Sequence, residues 1–324
     1  MNSHLANLPQ FPAFTWSSDV LNPILMNLRT KQVQLVEGME ALMPEFKAMA
    51  HAEMLKLDAI GHLKIAFPQL SNDNQQDINL LADSIQEIRS TLIGSPQKII
   101  TTGMLEEAYI RSGSLINSQD NNNQLVTAPL QLNGLDQFLT WFNKPGLDRL
   151  LKAAITHLWF VAIAHNSNQS GILARLLCEI QLTKADNTSL RYYSLNNQLS
   201  NEFIEYQFIV LQSLKGSLEI TIWLQWFLGC LERAYDNSSI LLEQILKKAN
   251  YWSNQNHQQL NKRQETIINI LLAGFNEKLT TTVYSQLTQC SRDTALRDVT
   301  YLLHKKVFIK KEGRGKNTEY LLNI

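Results

Sequence analysis

The sequence predicts a mainly α-helical chain that closes in a small module of three helices and a two-stranded β hairpin. Three observations carry this. Apolar residues recur at helical spacing through most of the chain before residue 260. Strand-type alternation is nearly absent before residue 300. Two short alternating runs then flank a basic, glycine-bearing tip near residue 314. Apolar residues make up 44% of the 324, enough for a full core, and only 18% are charged, which excludes a disordered chain and a globally basic coat.

Taken in order, Phe11-Pro12-Ala13-Phe14-Thr15-Trp16 is an extended aromatic start, because Pro12 biases its neighbours away from helix. Ser18 can cap a helix carrying Leu21, Ile24, Leu25 and Leu28 on one face, and helical patterning continues to about Phe67. Pro68 and the polar run 71–76 interrupt it. Further helices are expected over 77–92, 100–111, 135–143 and 147–160, the last with Leu147, Leu150, Leu151, Ala154, Leu158 and Val161 in phase. Helices at 171–182, 197–214, 218–234 and 238–258 complete the body. A polar segment with Asn121-Asn122-Asn123 reads as a loop. Trp141, Trp159, Trp223 and Trp226 are expected in the core rather than stacked on a ligand. The domain reading is an N-terminal helical domain over 1–95, a core over 96–236, a linker helix over 237–259 and a C-terminal module over 260–324.

In that module, 261–274 reads as a first helix with Ile267, Ile268, Leu271 and Leu272 inward. Lys278-Leu279-Thr280 is a brief extended piece, 281–287 a second helix and Gln289-Cys290-Ser291 a turn. Ser291 is a good N-cap for a third helix, 292–304. Its expected inward face is Ala295, Leu296, Val299, Leu302 and Leu303; its outward face is Arg292, Thr294, Arg297 and Thr300. Strands at 307–310 and 319–322 then enclose Glu312-Gly313-Arg314-Gly315-Lys316. This order is the plan of a winged helix-turn-helix. A major groove admits one helix whose N-terminal residues reach base edges, and a basic wing reaches phosphate. The expected DNA-binding residues are Ser291, Arg292, Thr294, Arg297, Lys310, Arg314 and Lys316. Winged helices also serve as protein-protein modules, so that reading stands beside DNA binding.

Charge distribution points the same way. The net charge is zero, yet from Asn261 onward there are 11 Lys/Arg against 6 Asp/Glu, leaving 18 against 23 for the rest. A basic end on an acidic body hints at nucleic-acid contact. The three cysteines, Cys178, Cys230 and Cys290, form no CxxC pair and match no zinc spacing, so they are expected to be inert thiols in a reducing compartment. No basic n-region followed by an apolar run opens the chain, and the most apolar stretch, 220–231, is too short to span a bilayer. A cytoplasmic protein without membrane contact is expected.

The C-terminal run Leu279-Thr280-Thr281, then Tyr284, Leu287, and Cys290-Ser291-Arg292-Asp293-Thr294-Ala295-Leu296-Arg297-Asp298, resembles the winged helix appended to many Fic-family proteins. Body segments resemble the same family in the same order: Phe11-Pro12 with Phe14-Thr15-Trp16; Leu139-Thr140-Trp141-Phe142-Asn143; Ala153 to Val161; Tyr193-Ser194-Leu195; Gly216 to Thr221; and Trp223 to Leu228. The resemblance implies a Fic-type helical core with an N-terminal helical extension. Active members of that family transfer AMP or a similar group from a nucleotide to a protein hydroxyl. Their loop reads His-Pro-Phe-x-Asp/Glu-Gly-Asn-Gly-Arg-x-x-Arg, with a basic His, a magnesium-holding carboxylate, a phosphate-cradling turn and charge-neutralising arginines.

Aligned without gaps, the loop of this chain is degenerate. Ala164 stands at the base position and Asn168 at the carboxylate; Gln169 and Ser170 replace the first Gly and the Asn, and Ile172 the first Arg. Gly171 and Arg175 alone keep the family residues, and with them the expectation of weak ATP binding without magnesium. His165 lies one position late and would serve as a base only if the loop were re-registered. The family's restraining helix matches 57–63, with Gly61 at the inhibitory Glu. The resemblance therefore implies a pseudoenzyme that acts through its winged helix on DNA, as a homodimer. The alternatives are a transferase with an altered loop and a non-catalytic protein partner of an intact Fic enzyme.

Overall fold

The computed structural model describes residues 4–68, 75–93, 98–117, 132–164, 168–188, 190–254, 260–311 and 318–323. The chain is mainly helical and divides into two compact units, Met1–Ser239 and Ile240–Ile324. No described helix is long and apolar enough to cross a membrane.

In the first unit, α1 spans Ser18–Glu40 and α2 Pro44–Ala66. The helical patterning expected to about Phe67 is interrupted where Met43, preceding Pro44, takes an extended ψ of 149°, which the proline ring enforces. Then follow α3 (Gln75–Leu92), α4 (Thr102–Asn117), α5 (Leu135–Asn143), α6 (Arg149–Ile163), α7 (Asn168–Asp186), α8 (Leu195–Asn201), α9 (Phe203–Lys215) and α10 (Thr221–Asn254). The helix expected over 197–214 is two. Glu202 leaves helical geometry between them and gives its carboxylate to Arg233 at 2.5 Å. Conversely, the helices expected at 218–234 and 238–258 are one. Helix continues through the expected gap at 235–237, and just beyond it Ser238 and Ser239 turn their hydroxyls back to the carbonyls of Ala234 and Tyr235 at 2.9 and 3.1 Å. The division after Ser239 falls inside α10.

Helices α6 and α7 pack against each other at the centre of this unit, and α2, α3 and α4 pack on α7. Every residue from Leu150 to Ala164 is buried, as is every residue from Ile172 to Thr183. Apart from Lys152, Thr156 and His157, this stretch of α6 is apolar all round, as a core helix is, whereas α7 also buries Arg175, Glu179 and Gln181. Asp148 caps α6 by accepting from the Leu150 and Leu151 amides at 2.8 and 3.3 Å. Lys152 survives burial by donating to the Trp141 carbonyl at 2.8 Å, with its ammonium 4.8 Å from the Trp141 ring centroid. The aromatic start folds onto this centre. Phe11 and Phe14 each meet Trp159 edge-on at 6.0 Å, and Thr15 bridges to Leu218 and Ile220 through backbone bonds of 2.9 Å. Trp159 and Trp223 are core residues as expected, whereas Trp141 and Trp226 are only half-buried.

The second unit holds α11 (Lys262–Leu272), α12 (Thr281–Leu287), α13 (Arg292–His304), β1 (Phe308–Lys310) and β2 (Tyr320–Leu322). The strands pair antiparallel, Phe308 opposite Leu322 and Lys310 opposite Tyr320. The Tyr320 amide donates to the Leu279 carbonyl at 2.9 Å, which ties the extended segment before α12 to the hairpin. Ile267, Ile268, Leu279, Tyr284, Ala295, Val299, Leu302 and Phe308 form the core. Asp298 is its polar hub. It accepts from the Asn261 and Gln264 side chains at 3.0 and 3.2 Å, the Arg263 Nε at 3.0 Å and the Tyr284 hydroxyl at 3.3 Å. One expectation fails: Leu296, assigned inward, is 53% exposed. It sits one position past Ala295, and the helical turn carries it onto the face of Arg297 and Thr300.

Candidate functional site

A cleft of about 230 Å3 opens at the start of α7. Asn168, Gly171 and Arg175 line one side, and Phe203, Tyr206, Gln207, Val210 and Leu211 of α9 line the other. Ile65, Ala66 and Val161 close it with apolar surface. Helical spacing places Asn168, Gly171 and Arg175 in one row, three and four residues apart, so a single face of α7 presents them.

Arg175 is 3% exposed. Its Nε donates to His62 Nδ1 at 3.2 Å and its Nη2 to the His62 carbonyl at 3.4 Å, and it also bonds the Tyr206 hydroxyl. Tyr206 in turn meets His157 Nε2 at 2.9 Å. Burial, followed by the charge of Arg175, pushes both His62 and His157 down to about 3, so both rings are neutral. Arg175 is thus held by neutral acceptors, and no described carboxylate reaches ion-pair distance of it.

Behind His62 lies a buried polar cluster. A guanidinium only donates, so His62 Nδ1 must accept and its proton sits on Nε2, facing Glu179 Oε1 at 3.0 Å. Arg89 donates to the other Glu179 oxygen at 2.9 Å. Asp58 accepts from the Ser194 hydroxyl at 2.7 Å, the Asn196 amide at 3.2 Å and the Asn196 side chain at 2.8 Å. Burial and then the Glu179 charge push Asp58 up to about 6. Burial works against ionisation of Glu179 too, but its bond with Asp58 and the charges of Arg89 and Arg191 hold it below the usual carboxylate range. Asp58, His62 and Glu179 offer ligand atoms within 4.8 Å of one another. The Asn196 Nδ2 lies 2.8–3.0 Å from all three, and the free imidazole lone pair points at Arg175.

The residues expected from the loop alignment are distributed as follows. Ala164 is buried at the end of α6, where its carbonyl accepts from Ser170 Oγ at 2.5 Å. Gln169 is turned into the core and donates to the Tyr109 carbonyl at 2.5 Å. Ile172 is fully buried between helices. Asn168 is exposed at the first position of α7, and only Gly171 and Arg175 join it in the cleft. His165 lies outside the described residues. The cleft lining includes no Asp or Glu among the described residues; its side-chain oxygens are those of Asn168, Tyr206 and Gln207. Gly61 does not reach Arg175. A Cβ there would lie 2.4 Å from the backbone of Asn196 and Asn197, and the side chain that meets Arg175 is His62, the next residue. Tyr206, His157, Glu179 and Asn196 came with no sequence signal, since four different helices, α9, α6, α7 and α8, supply them.

A second candidate surface lies on α13. Ser291 caps it, its hydroxyl accepting from the Thr294 amide at 3.2 Å. Arg292, Arg297 and Thr300 are exposed, Thr294 is half-buried, and Leu296 shares their face. Lys310 is exposed on β1, while Arg314 and Lys316 lie outside the described residues. None of the described ion pairs engages Arg292, Arg297 or Lys310, whereas Arg263 and Lys311 are bound to Asp298 and Glu319 at 3.0 and 3.2 Å. No family model matches this chain, and no curated protein matches it significantly.

Proposed function

We propose that the chain is a cytoplasmic DNA-binding regulator. Its C-terminal unit is read as a winged helix-turn-helix. Its body is read as a Fic-type helical domain that has lost nucleotidyl transfer. The observation that carries the reading is α13. It is a capped helix that follows α12 after four residues, with Arg292, Arg297, Thr300 and the apolar Leu296 exposed on one face. Arginine can read guanine in the major groove, and an exposed leucine suits a thymine methyl. Lys310 at the base of the hairpin is suited to phosphate. Two copies on two half-sites would supply the grip that one module lacks.

Loss of transfer is supported by the cleft. The base and metal positions hold Ala164 and Asn168, and Ile172, at the first arginine position, is buried away from the cleft. Selection of bound duplexes from a random library tests the DNA reading. A defined motif is expected, and Arg297→Ala should relax one position of it by about 1–3 kcal/mol. Recovery of no motif by the natural chain would refute sequence-specific binding.

A further inference from the structure

We infer that the α7–α9 cleft binds a small apolar monoanion, of the class of a four- to six-carbon carboxylic acid. The inference rests on the cleft itself and is independent of the DNA reading. Arg175 is buried and always charged, yet among the described residues its partners are all neutral: His62, Tyr206 and the His62 carbonyl. Buried charges are ordinarily paired, because desolvation without a counter-charge is costly. A carboxylate in the cleft would supply the missing charge at Nη1, the guanidinium nitrogen beside Gly171 of the lining, while Nε and Nη2 stay on His62. It would also lie beside the first turn of α7, where the helix dipole favours an anion.

Size and lining narrow the ligand. The volume is about 230 Å3, below the roughly 300–1,000 Å3 of pockets that take drug-sized molecules. Away from Arg175, Ile65, Ala66, Val161, Phe203, Val210 and Leu211 offer contact to a short hydrocarbon tail, while Asn168 and Gln207 keep polar groups along the same lining. A second or third phosphate would find no further cation, because Arg175 is the only Lys or Arg among the described lining residues. A single negative head on a short apolar tail fits both ends.

Titration calorimetry of the full chain with butyrate, pentanoate and hexanoate tests this, beside hexanamide, inorganic phosphate and AMP. At least one acid should bind saturably, and hexanamide at least tenfold more weakly. Arg175→Met should lower acid affinity at least tenfold. Because that buried change can disturb folding, Leu211→Trp is the second variant. It fills the cleft from the exposed rim and should also abolish binding, with the circular dichroism of the natural chain kept. No binding of any acid, equal binding of hexanamide, or binding unchanged in Leu211→Trp would overturn the inference. Preference for phosphate or AMP over every acid would overturn the ligand class.

Discussion

Replacing Gly61 by alanine puts one methyl group of α2 against the backbone of α8. A Cβ there would lie 2.4 Å from the Asn196 carbonyl carbon and the Asn197 nitrogen, and 2.5 Å from the Asn196 oxygen. All three are backbone atoms, so no side chain can rotate away. The helices must separate instead, and the same pair is stitched by the bonds from Asp58 to Ser194 and Asn196. Overpacking of this kind costs about 3 kcal/mol, the upper part of the usual range. Alanine in place of a helical glycine returns about 1 kcal/mol through backbone entropy. The net expectation is a loss of about 2 kcal/mol. Urea unfolding followed by tryptophan fluorescence reads it well, because five of the six tryptophans (16, 141, 159, 223 and 226) lie in the first unit. If Gly61 were merely the blank left by a lost inhibitory side chain, the same substitution would be neutral or would stabilise by about 1 kcal/mol. Such a result would refute the packing account.

Three further outcomes are expected. Asp58 is raised from 3.8 to about 6 in the folded chain, so its contribution is fully favourable below the unfolded value and is lost as pH rises through about 6. Urea midpoints of the natural chain against Asp58→Asn should therefore diverge between pH 4 and pH 7.5, with the natural chain losing up to about 3 kcal/mol; a constant difference would contradict this. Asp298→Ala strips the acceptor from Asn261, Arg263, Gln264 and Tyr284 together and should destabilise the second unit by about 3 kcal/mol or more. Amide exchange of α11 to α13 would show it, and unchanged protection there would argue against the hub. With labelled ATP, magnesium and cell lysate, neither the natural chain nor Ala164→His should label protein, since the carboxylate and first arginine positions remain empty of their chemistry; labelling abolished by His165→Ala would mean that the loop is re-registered.

Helical periodicity made α5, α6, α11 and α13 legible, because each buries one stripe or its whole circumference and the pattern reports that directly. It misled where burial and local chemistry compete. Residues 235–237 read as a gap between two helices but lie within α10, and the proline at 44 ends a stretch read as helical to about Phe67. Leu296 was assigned inward on residue type alone, while the helical angle turns it out. At the cleft, the row Asn168, Gly171 and Arg175 was legible because it lies on one helix. Its partners were not. His62, Tyr206 and His157 come from α2, α9 and α6, and their convergence is a tertiary fact that no local spacing records.

The most direct test of DNA binding is fluorescence anisotropy of the full chain on labelled duplex between 50 and 200 mM salt, beside Lys310→Ala and Arg292→Ala. The account predicts an affinity that falls linearly in log–log form, with the slope magnitude reduced by about 0.9 for each phosphate contact removed. An affinity that is independent of salt, or slopes and affinities untouched by both substitutions, would contradict it.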